Sequence, residues 1–250
     1  MMRLDGQVAL VTGASKGFGR STALLFAQEG ADVIINYRSS GEEAAKLVAE
    51  VERLGRRCVA VQADVSDEGQ ASRLVESAIA AFGRIDVLVN NAGVMEVKPF
   101  AEQTPAAWEA MIAVNIFGPL YVTRAVLPLM IERGRGSIIN LASQLGHVGG
   151  ENFAVYSGTK GFVLAYTKSL AREVGPHGIR VNAVCPGSIV TDMNLSIFPP
   201  DRQAQKAQEL PLRHMGDPLD VAYAALYLAA EESKFMTGQC VDVNGGSTMA

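Results

Sequence analysis

The sequence contains little cysteine, no excess of positive charge and no long run of apolar residues. Its three cysteines form no CxxC pair and its three histidines lie 30 or more positions apart, so we expect neither a disulfide framework nor a metal site. The 22 basic residues are outnumbered by 26 acidic ones, which argues against a nucleic-acid partner. The longest apolar run, Val221–Ala230, has 10 residues, fewer than the roughly 20 that a membrane-spanning helix needs.

The sequence does contain enough apolar material for a folded core. Of its 250 residues, 48% are hydrophobic and 19% are charged, a composition typical of a globular protein rather than a disordered one. No signal peptide is recognisable before the first apolar run, and we therefore expect a cytoplasmic protein.

Seven short apolar runs alternate with longer segments of helical periodicity. Runs that are apolar at every position are typical of parallel strands covered on both faces by helices. The helical pattern is clearest in residues 41–54, where Ala44, Leu47 and Val51 share one face. The alternation predicts an α/β fold: a single-domain, Rossmann-type, doubly wound parallel sheet of about seven strands with helices on both faces. The runs are Val8–Val11, Val33–Ile35, Cys58–Val61, Val87–Val89, Ser137–Leu141, Ile179–Val184 and Val241–Val243.

No linker, repeat or low-complexity segment divides the chain, so residues 1–250 form one predicted domain. The stretch from about residue 188 to 216 breaks the alternation and contains Pro199, Pro200 and Pro211. A long irregular segment inside a compact domain is often a lid, and this one follows the sixth predicted strand at the sheet edge where ligands bind. We therefore predict a substrate lid, the alternative being a surface excursion with one short helix.

The first predicted strand runs into a glycine-rich loop that opens a helix. The spacing G-x-x-x-G-x-G allows a tight turn and lets phosphate oxygens approach the backbone. The N-terminus of the following helix offers unpaired N–H groups to a pyrophosphate. We predict that this loop binds a dinucleotide, although a plain strand-to-helix turn is the alternative. The predicted contacts are Gly13, Ser15, Lys16, Gly17, Phe18 and Gly19.

The end of the second predicted strand indicates which dinucleotide binds. A carboxylate there would accept hydrogen bonds from the adenosine ribose and repel a 2′-phosphate, but the residues are Asn36, Tyr37 and Arg38. Arg38 and Lys16 are two cations suited to a phosphate. We predict NADP(H) as the preferred cofactor, with NAD(H) possible because Asn36 is able to bond a free 2′-hydroxyl.

A serine, a tyrosine and a lysine follow the fifth predicted strand in a pattern suited to proton transfer. Tyr156 and Lys160 are spaced i,i+4 at the start of a long helix, so both project from one face. At about 4 Å and an effective dielectric near 20, the ammonium would stabilise a phenolate by about 4 kcal/mol. This attraction would lower a tyrosine pKa of about 10 by roughly three units, and we expect an acid–base catalyst near neutrality.

Taken together, these motifs resemble the signature set of the short-chain dehydrogenase/reductase family, and the resemblance extends over essentially the whole chain. It implies that Tyr156 exchanges a proton with the substrate oxygen and that Lys160 lowers the Tyr156 pKa and binds the nicotinamide ribose. It also implies that Ser143 hydrogen-bonds the substrate oxygen and that Asn115 holds a water linking Lys160 to solvent. The residues that carry the resemblance are Thr12, Gly13, Gly17, Gly19, Asn90, Asn91, Ala92, Gly93, Asn115, Ser143, Tyr156, Lys160, Pro186 and Gly187.

The resemblance also implies cofactor contacts outside the glycine loop. Asp64 would accept a hydrogen bond from adenine, Asn90 would brace the adenosine side, and Thr191 would bond the nicotinamide carboxamide. Near the C-terminus, Asn244 stands where the family usually has Asp. The implied contacts are Asp64, Val65, Asn90, Ala92, Gly93, Tyr156, Lys160, Pro186, Gly187, Ile189 and Thr191.

The expected activity is the interconversion of a ketone and a secondary alcohol by hydride transfer. The pattern is similar to that of 3-oxoacyl-acyl-carrier-protein reductases and glucose dehydrogenases, so a 3-oxoacyl compound, a sugar and a polyol are all candidate substrates. Pro128 stands where a second basic residue of a carrier-docking surface is expected beside Arg172. A non-catalytic dinucleotide sensor or scaffold is the alternative, since fold does not determine function. The resemblance further implies a homotetramer that acts on a small-molecule substrate.

Overall fold

The computed structural model describes residues 2–191 and 199–249, and within these ranges seven parallel strands form one sheet. Their spatial order is β3-β2-β1-β4-β5-β6-β7, so the predicted fold class is confirmed. The predicted apolar runs all lie within strands, whose ends extend them by up to two residues. The strands are β1 (Val8–Val11), β2 (Asp32–Tyr37), β3 (Cys58–Gln62), β4 (Val87–Asn90), β5 (Gly136–Leu141), β6 (Ile179–Pro186) and β7 (Cys240–Val243).

Helices cover both faces of this sheet. On one face α1, α2 and α9 pack around a core that includes Phe26, Leu47 and Leu226. On the other face α3, α5 and α7 pack around a second core that includes Leu74 and Met130. The described helices are α1 (Gly17–Gln28), α2 (Gly41–Arg53), α3 (Glu68–Phe82), α4 (Pro105–Ile112), α5 (Gly118–Arg133), α6 (Leu145–Val148), α7 (Ala154–Val174), α8 (Pro200–Glu209) and α9 (Pro218–Ala229).

Strand β1 shows why its sequence is apolar at every position. Ala9 and Val11 belong to the core on one face, whereas Val8 and Leu10 belong to the core on the other. Successive strand residues point to opposite faces, and both faces are covered here. The chain order reverses between β1 and β4, which opens a cleft at the carboxyl ends of the strands.

A buried carboxylate ties the opposite end of the sheet together. The Val8 N–H of β1 donates to Asp86 Oδ2 at 2.9 Å, and Arg133 of α5 donates to Asp86 Oδ1 at 2.7 Å. Arg84 Nε also donates to Asp86 Oδ2 at 3.0 Å, and Arg135 Nη2 donates to Asp86 Oδ1 at 3.2 Å. Asp86 therefore links β1, β4, β5 and α5 at the edge away from the cleft.

Residues 105–133 form one continuous helical stretch in which a π-helical turn, Ala113–Phe117, joins α4 to α5. By length and composition alone this stretch could cross a membrane. Its inner face packs on α3 and on the sheet, with Val122, Val126 and Met130 fully buried. A core helix of this kind has the same apolar composition.

The predicted lid contains more regular structure than an irregular loop. Its described part includes α8, and residues 192–198 lie outside the described residues. The two ends of the segment are joined, since the Val190 N–H donates to Gly216 O and the Gly216 N–H donates to Ser188 O, both at 3.0 Å. A helix in the segment is compatible with both interpretations, so the lid role stays a prediction.

Candidate active site

The glycine loop joins β1 to α1 at the mouth of the cleft. Gly13 and Gly17 have φ angles of +61° and +54°, a region that L side chains rarely adopt. A Cβ on Gly13 would also lie 2.8 Å from the Cα of Ala92. No side chain of the described residues caps the N-terminus of α1, so its first N–H groups are left for a ligand. The loop, the ends of β2 and β4 and Thr191 line one cavity of about 380 Å³.

Asn36 lines this cavity, and its contact with the ribose stays a prediction. The side chain is 2% exposed, its Oδ1 accepts from the Gly13 N–H at 3.1 Å, and its Nδ2 donates to Ala63 O at 2.9 Å. Both ends of the amide are therefore used inside the protein. Asn36 holds the glycine loop against β3, and it is a positioning residue.

Arg38 and Lys16 lie on the rim of this cavity, as the sequence predicts. Arg38 Nη1 is 3.9 Å from Asp64 Oδ2, and Lys16 Nζ is 3.7 Å from Glu43 Oε1. These are long, exposed ion pairs of small net strength, so both cations are able to turn toward a phosphate.

Asp64 occupies the same rim, at the carboxyl end of β3. Its Oδ1 accepts hydrogen bonds from the backbone N–H and the hydroxyl of Ser66 at 2.9 and 2.6 Å. Burial raises the pKa of Asp64, but the Ser66 hydrogen bonds and the Arg38 charge outweigh it and hold that pKa below its usual range. Asp64 is therefore a carboxylate at neutral pH. Neighbouring Val65 also lines the cavity.

The structure does not place Asn90 in the cleft, contrary to the prediction. Asn90 is 3% exposed, and its Nδ2 donates to Thr123 Oγ1 at 3.0 Å and to Asn140 Oδ1 at 2.9 Å. It joins β4 to β5 and α5 instead. The neighbouring Asn91, which the prediction omitted, lines the cavity and donates to the carbonyls of Thr12 and Gly13. Asn91 directly follows the last residue of β4, and this position at a strand end could have identified it as a cavity residue from the sequence.

Helix α7 places Tyr156 and Lys160 side by side against the end of β5, where Ser143 lies. Tyr156 is half-buried, whereas Lys160 and Ser143 are each 6% exposed. Lys160 Nζ donates to Leu141 O at 2.7 Å. The Ser143 hydroxyl lies close enough to the Tyr156 phenol to lower its pKa, and it accepts a hydrogen bond from the Leu145 N–H at 3.2 Å. The predicted catalytic side chains therefore lie together.

The expected acidic tyrosine is not found in this geometry. Burial raises the pKa of Tyr156 to about 12, against a smaller lowering by the Ser143 hydrogen bond. Lys160 Nζ lies 5.7 Å from the centre of the Tyr156 ring and donates to a backbone carbonyl, and burial outweighs any lowering of the Tyr156 pKa by its neighbours. Burial also lowers the pKa of Lys160 to about 8.

Asn115 sits in the π-helical turn, where its side chain reaches two neighbouring segments. Its Oδ1 accepts from the Val94 N–H at 2.8 Å, and its Nδ2 donates to Val94 O and to Thr159 Oγ1 at 2.9 and 3.1 Å. Thr159 precedes Lys160 on α7. Asn115 thus fixes the start of the catalytic helix, and π-helical turns of this kind are frequent at functional sites.

Residues after β6 complete the cleft, with one exception. Gly187 and Thr191 line it, together with Pro186 at the strand end. A Cβ on Gly187 would lie 2.6 Å from the Cβ of Asn244, so no larger residue fits. Ile189, predicted as a contact, is 2% exposed, and its side chain belongs to the hydrophobic core.

Two adjoining cavities meet at Tyr156. The first is the cavity of about 380 Å³ along the glycine loop, which also contains Gly93 and Lys160. The second, of about 680 Å³, extends from Ser143 toward α8. The residues that line both are Phe18, Ala142, Tyr156 and Thr191. The arrangement suits a dinucleotide on one side of the phenol and a second molecule on the other.

Known proteins support this interpretation of the cleft. A family model described as short chain dehydrogenase matches residues 7–202. The 3-oxoacyl-acyl-carrier-protein reductase of Thermotoga maritima is 41% identical over 246 residues, 98% of this chain and 99% of that protein.

Two solved structures are also similar. A blue fluorescent protein from a metagenomic library, in complex with NADPH, is 37% identical with a TM-score of 0.93 over 99% of this chain and 100% of that one. Carveol dehydrogenase from Mycobacterium avium, in complex with NAD, is 33% identical with a TM-score of 0.94 over 99% of both chains. The chain is an oxidoreductase that belongs to the short-chain dehydrogenase/reductase family.

Proposed function

We propose that this protein is an NADP(H)-dependent reductase of ketones that also oxidises the corresponding secondary alcohols, with Tyr156 as the acid–base group. The observation that carries the proposal is the position of Tyr156 at the junction of the two cavities. From there its hydroxyl reaches a substrate oxygen on one side while Lys160 lines the cofactor cavity on the other.

The residues present fit a bound nicotinamide dinucleotide. The uncapped N-terminus of α1 supplies N–H groups for its pyrophosphate. Lys160 and Thr191 line the same cavity, where Lys160 would bind the nicotinamide ribose and Thr191 the carboxamide. When bound, the cofactor supplies or accepts the hydride.

The chain's own contribution is the proton and its electrostatic setting. With a pKa of about 12, Tyr156 carries its proton at neutral pH and gives it to the carbonyl oxygen during reduction. Ser143 donates a hydrogen bond to the same oxygen, where negative charge develops. The Lys160 ammonium then stabilises the phenolate left on Tyr156. Oxidation runs through the same groups in reverse, with the Tyr156 phenolate accepting the proton of the alcohol.

Arg38 and Lys16 are the groups that favour NADP(H) over NAD(H). Both lie on the cavity rim with loosely held carboxylate partners, and a 2′-phosphate is a stronger partner than a distant carboxylate. We expect Arg38→Ala to lower kcat/KM for NADPH at least about tenfold, the size of one hydrogen bond to a charged group, and to leave kcat/KM for NADH unchanged. Arg57→Ala, which removes an exposed arginine at the other end of β2, is the matched control. Equal losses with both cofactors would contradict the assignment.

A 3-oxoacyl thioester is the substrate class that we favour. The similar Thermotoga maritima protein is named for such a substrate, and the 680 Å³ cavity is lined by Leu145, Val148 and Phe153 near the catalytic end. Arg202 and Lys206 of α8 line the same cavity and suit the phosphate of a carrier arm. The relatives reported above lend no support to a sugar or polyol substrate.

Initial rates of NADPH oxidation test the function directly. We expect turnover of a 3-oxoacyl thioester with kcat/KM well above that of a small cyclic ketone or an aldose. A protein that binds NADPH but turns over no carbonyl or alcohol would be the non-catalytic sensor instead. We further propose that the protein is cytoplasmic, and that it is the homotetramer that the sequence resemblance implies.

A further inference from the structure

Three side chains with metal-binding atoms meet outside the catalytic group. His147 lies on α6, Cys185 near the end of β6 and Asp242 in β7. One nitrogen, one sulfur and one carboxylate oxygen from these residues all lie within 4.8 Å of one another. The proposed reaction uses none of them.

The pairing of β6 with β7 and the packing of α6 on α7 hold these three side chains together. Cys185 and Asp242 are directly paired between β6 and β7, so their side chains leave the same face of the sheet. Helix α6 packs tightly on α7, because a Cβ on Gly146 would lie 2.8 Å from the carbonyl carbon of Lys160. This contact fixes the neighbouring His147. The cluster is therefore set by rigid elements rather than by loops.

The imidazole and the carboxylate of the cluster form no hydrogen bond with each other. His147 Nε2 and Asp242 Oδ1 are 3.8 Å apart, beyond hydrogen-bond distance. Asp242 Oδ1 is buried and has no hydrogen-bond partner among the described residues. A buried carboxylate oxygen without a partner costs free energy. A cation between the imidazole and the carboxylate would satisfy both.

We propose that His147, Cys185 and Asp242 bind a divalent transition metal of the zinc class. Imidazole, thiolate and carboxylate are the donors that Zn²⁺ takes in proteins. Tetrahedral Zn²⁺, with bonds of about 2.0 to 2.3 Å, holds such donor atoms about 3.4 to 3.6 Å apart. The observed 3.8 Å between imidazole and carboxylate requires a contraction of a few tenths of an ångström, and the pairs with the thiol, within 4.8 Å, require up to about 1 Å.

The metal would be structural for the substrate cavity rather than part of the chemistry. Leu145 and Val148 of α6 line that cavity, and His147 lies between them. A metal bound to His147 would tie α6 to the β6–β7 edge and hold the cavity wall in place. The imidazole and carboxylate side chains are 20% and 22% exposed, which gives an ion access from solvent, whereas Cys185 is fully buried.

Cobalt titration of the chelator-treated protein tests the site without reference to turnover. We expect one equivalent of Co²⁺ to bind, with a sulfur-to-cobalt charge-transfer band in the near ultraviolet that added Zn²⁺ abolishes. His147→Ala and Asp242→Asn should each weaken binding at least about tenfold, and Cys185→Ala should remove the band. His214→Ala and Cys58→Ala, which change a histidine and a buried cysteine elsewhere, should bind like the parent protein.

Two results would overturn the proposal. One is the absence of saturable binding at one equivalent, and the other is a His147→Ala variant that binds Co²⁺ as tightly as the parent protein. Because His147 has an exposed backbone and a partly exposed side chain, its substitution is compatible with folding even if that of Cys185 is not. Activity with NADPH is measured separately, so failure of this site and failure of the proposed function are distinguishable.

Discussion

At the scale of single residues, the chemistry rests on one phenol that two cavities share. We expect Tyr156→Phe to lower kcat/KM for ketone reduction at least about 100-fold, because it removes the proton donor. The dissociation constant of NADPH, measured by fluorescence titration, should change little. Tyr166→Phe is the matched control, since Tyr166 lies on the same helix and hydrogen-bonds Thr123. A Tyr156→Phe variant that keeps most of its activity would remove the assigned role.

We expect the buried Lys160 ammonium to lower the stability of the folded protein while serving the reaction. Its pKa falls from 10.5 to about 8 because the amine is buried, which corresponds to a cost of about 3 kcal/mol in the free energy of folding at pH 7. Lys160→Met removes this cost and also a hydrogen bond worth about 1 kcal/mol. We therefore expect an inactive variant that is more stable by about 2 kcal/mol at pH 7 in urea denaturation.

The sign of the pH dependence makes the Lys160 prediction specific. The unfolded chain binds this proton more tightly than the folded one, so the stability of the parent protein rises with pH between about 8 and 10.5. The advantage of Lys160→Met should therefore shrink over that interval. Lys168→Met, at an exposed position of the same helix, should show no such change. An advantage that persists at pH 10.5 would contradict the burial argument.

At the scale of elements, Asp86 joins strands and helix at the edge of the sheet away from the cleft. Burial raises its pKa, but hydrogen bonds from Arg133 and the Val8 N–H outweigh that effect and hold the pKa below 3.8. We expect Asp86→Asn to lower the free energy of unfolding by about 2 kcal/mol at pH 7, the scale of one charged hydrogen bond.

The pH dependence of the Asp86 variant follows from the same shift. A carboxylate with a lowered pKa stabilises the fold above its ordinary value of 3.8 and loses that contribution as the pH falls through the lowered value. The gap between parent and variant should be constant from pH 7 to 5 and close in acid. Glu68→Gln, which breaks an exposed pair with Arg124, should cost less than about 0.5 kcal/mol. Equal effects of the two substitutions would argue against the role of Asp86.

At the scale of the whole molecule, an apolar stripe on α9 is the surface best suited to contact a second copy. Leu219, Tyr223 and Tyr227 are spaced four apart and are 39%, 52% and 43% exposed, and such spacing places them on one helix face. If the protein is the homotetramer proposed above, Tyr223→Ser with Tyr227→Ser should lower its mass in sedimentation velocity. Leu54→Ser, at an exposed apolar position of similar accessibility, should not. An unchanged mass would exclude this face from the assembly.

The sequence by itself determined the elements and most of the cleft. Strands buried on both faces are apolar at most positions rather than at every second one, so the seven runs were visible without a structure. The glycine loop and the Ser143, Tyr156 and Lys160 set were predictable for a related reason. Their spacing along the chain follows from the geometry of one strand end and one helix face.

Only the tertiary structure decided which polar atoms are free to act. The Asn36 amide bonds the glycine loop from the cavity wall, and the Asn90 amide joins β4 to β5 and α5. A one-dimensional pattern cannot show hydrogen-bond partners that lie far apart in the chain. The same limit applies to the pKa values of Tyr156 and Lys160, because burial in the folded protein dominates both shifts. Spacing also hid the cluster of His147 and its neighbours, since those residues meet only when β6, β7 and α6 pack together.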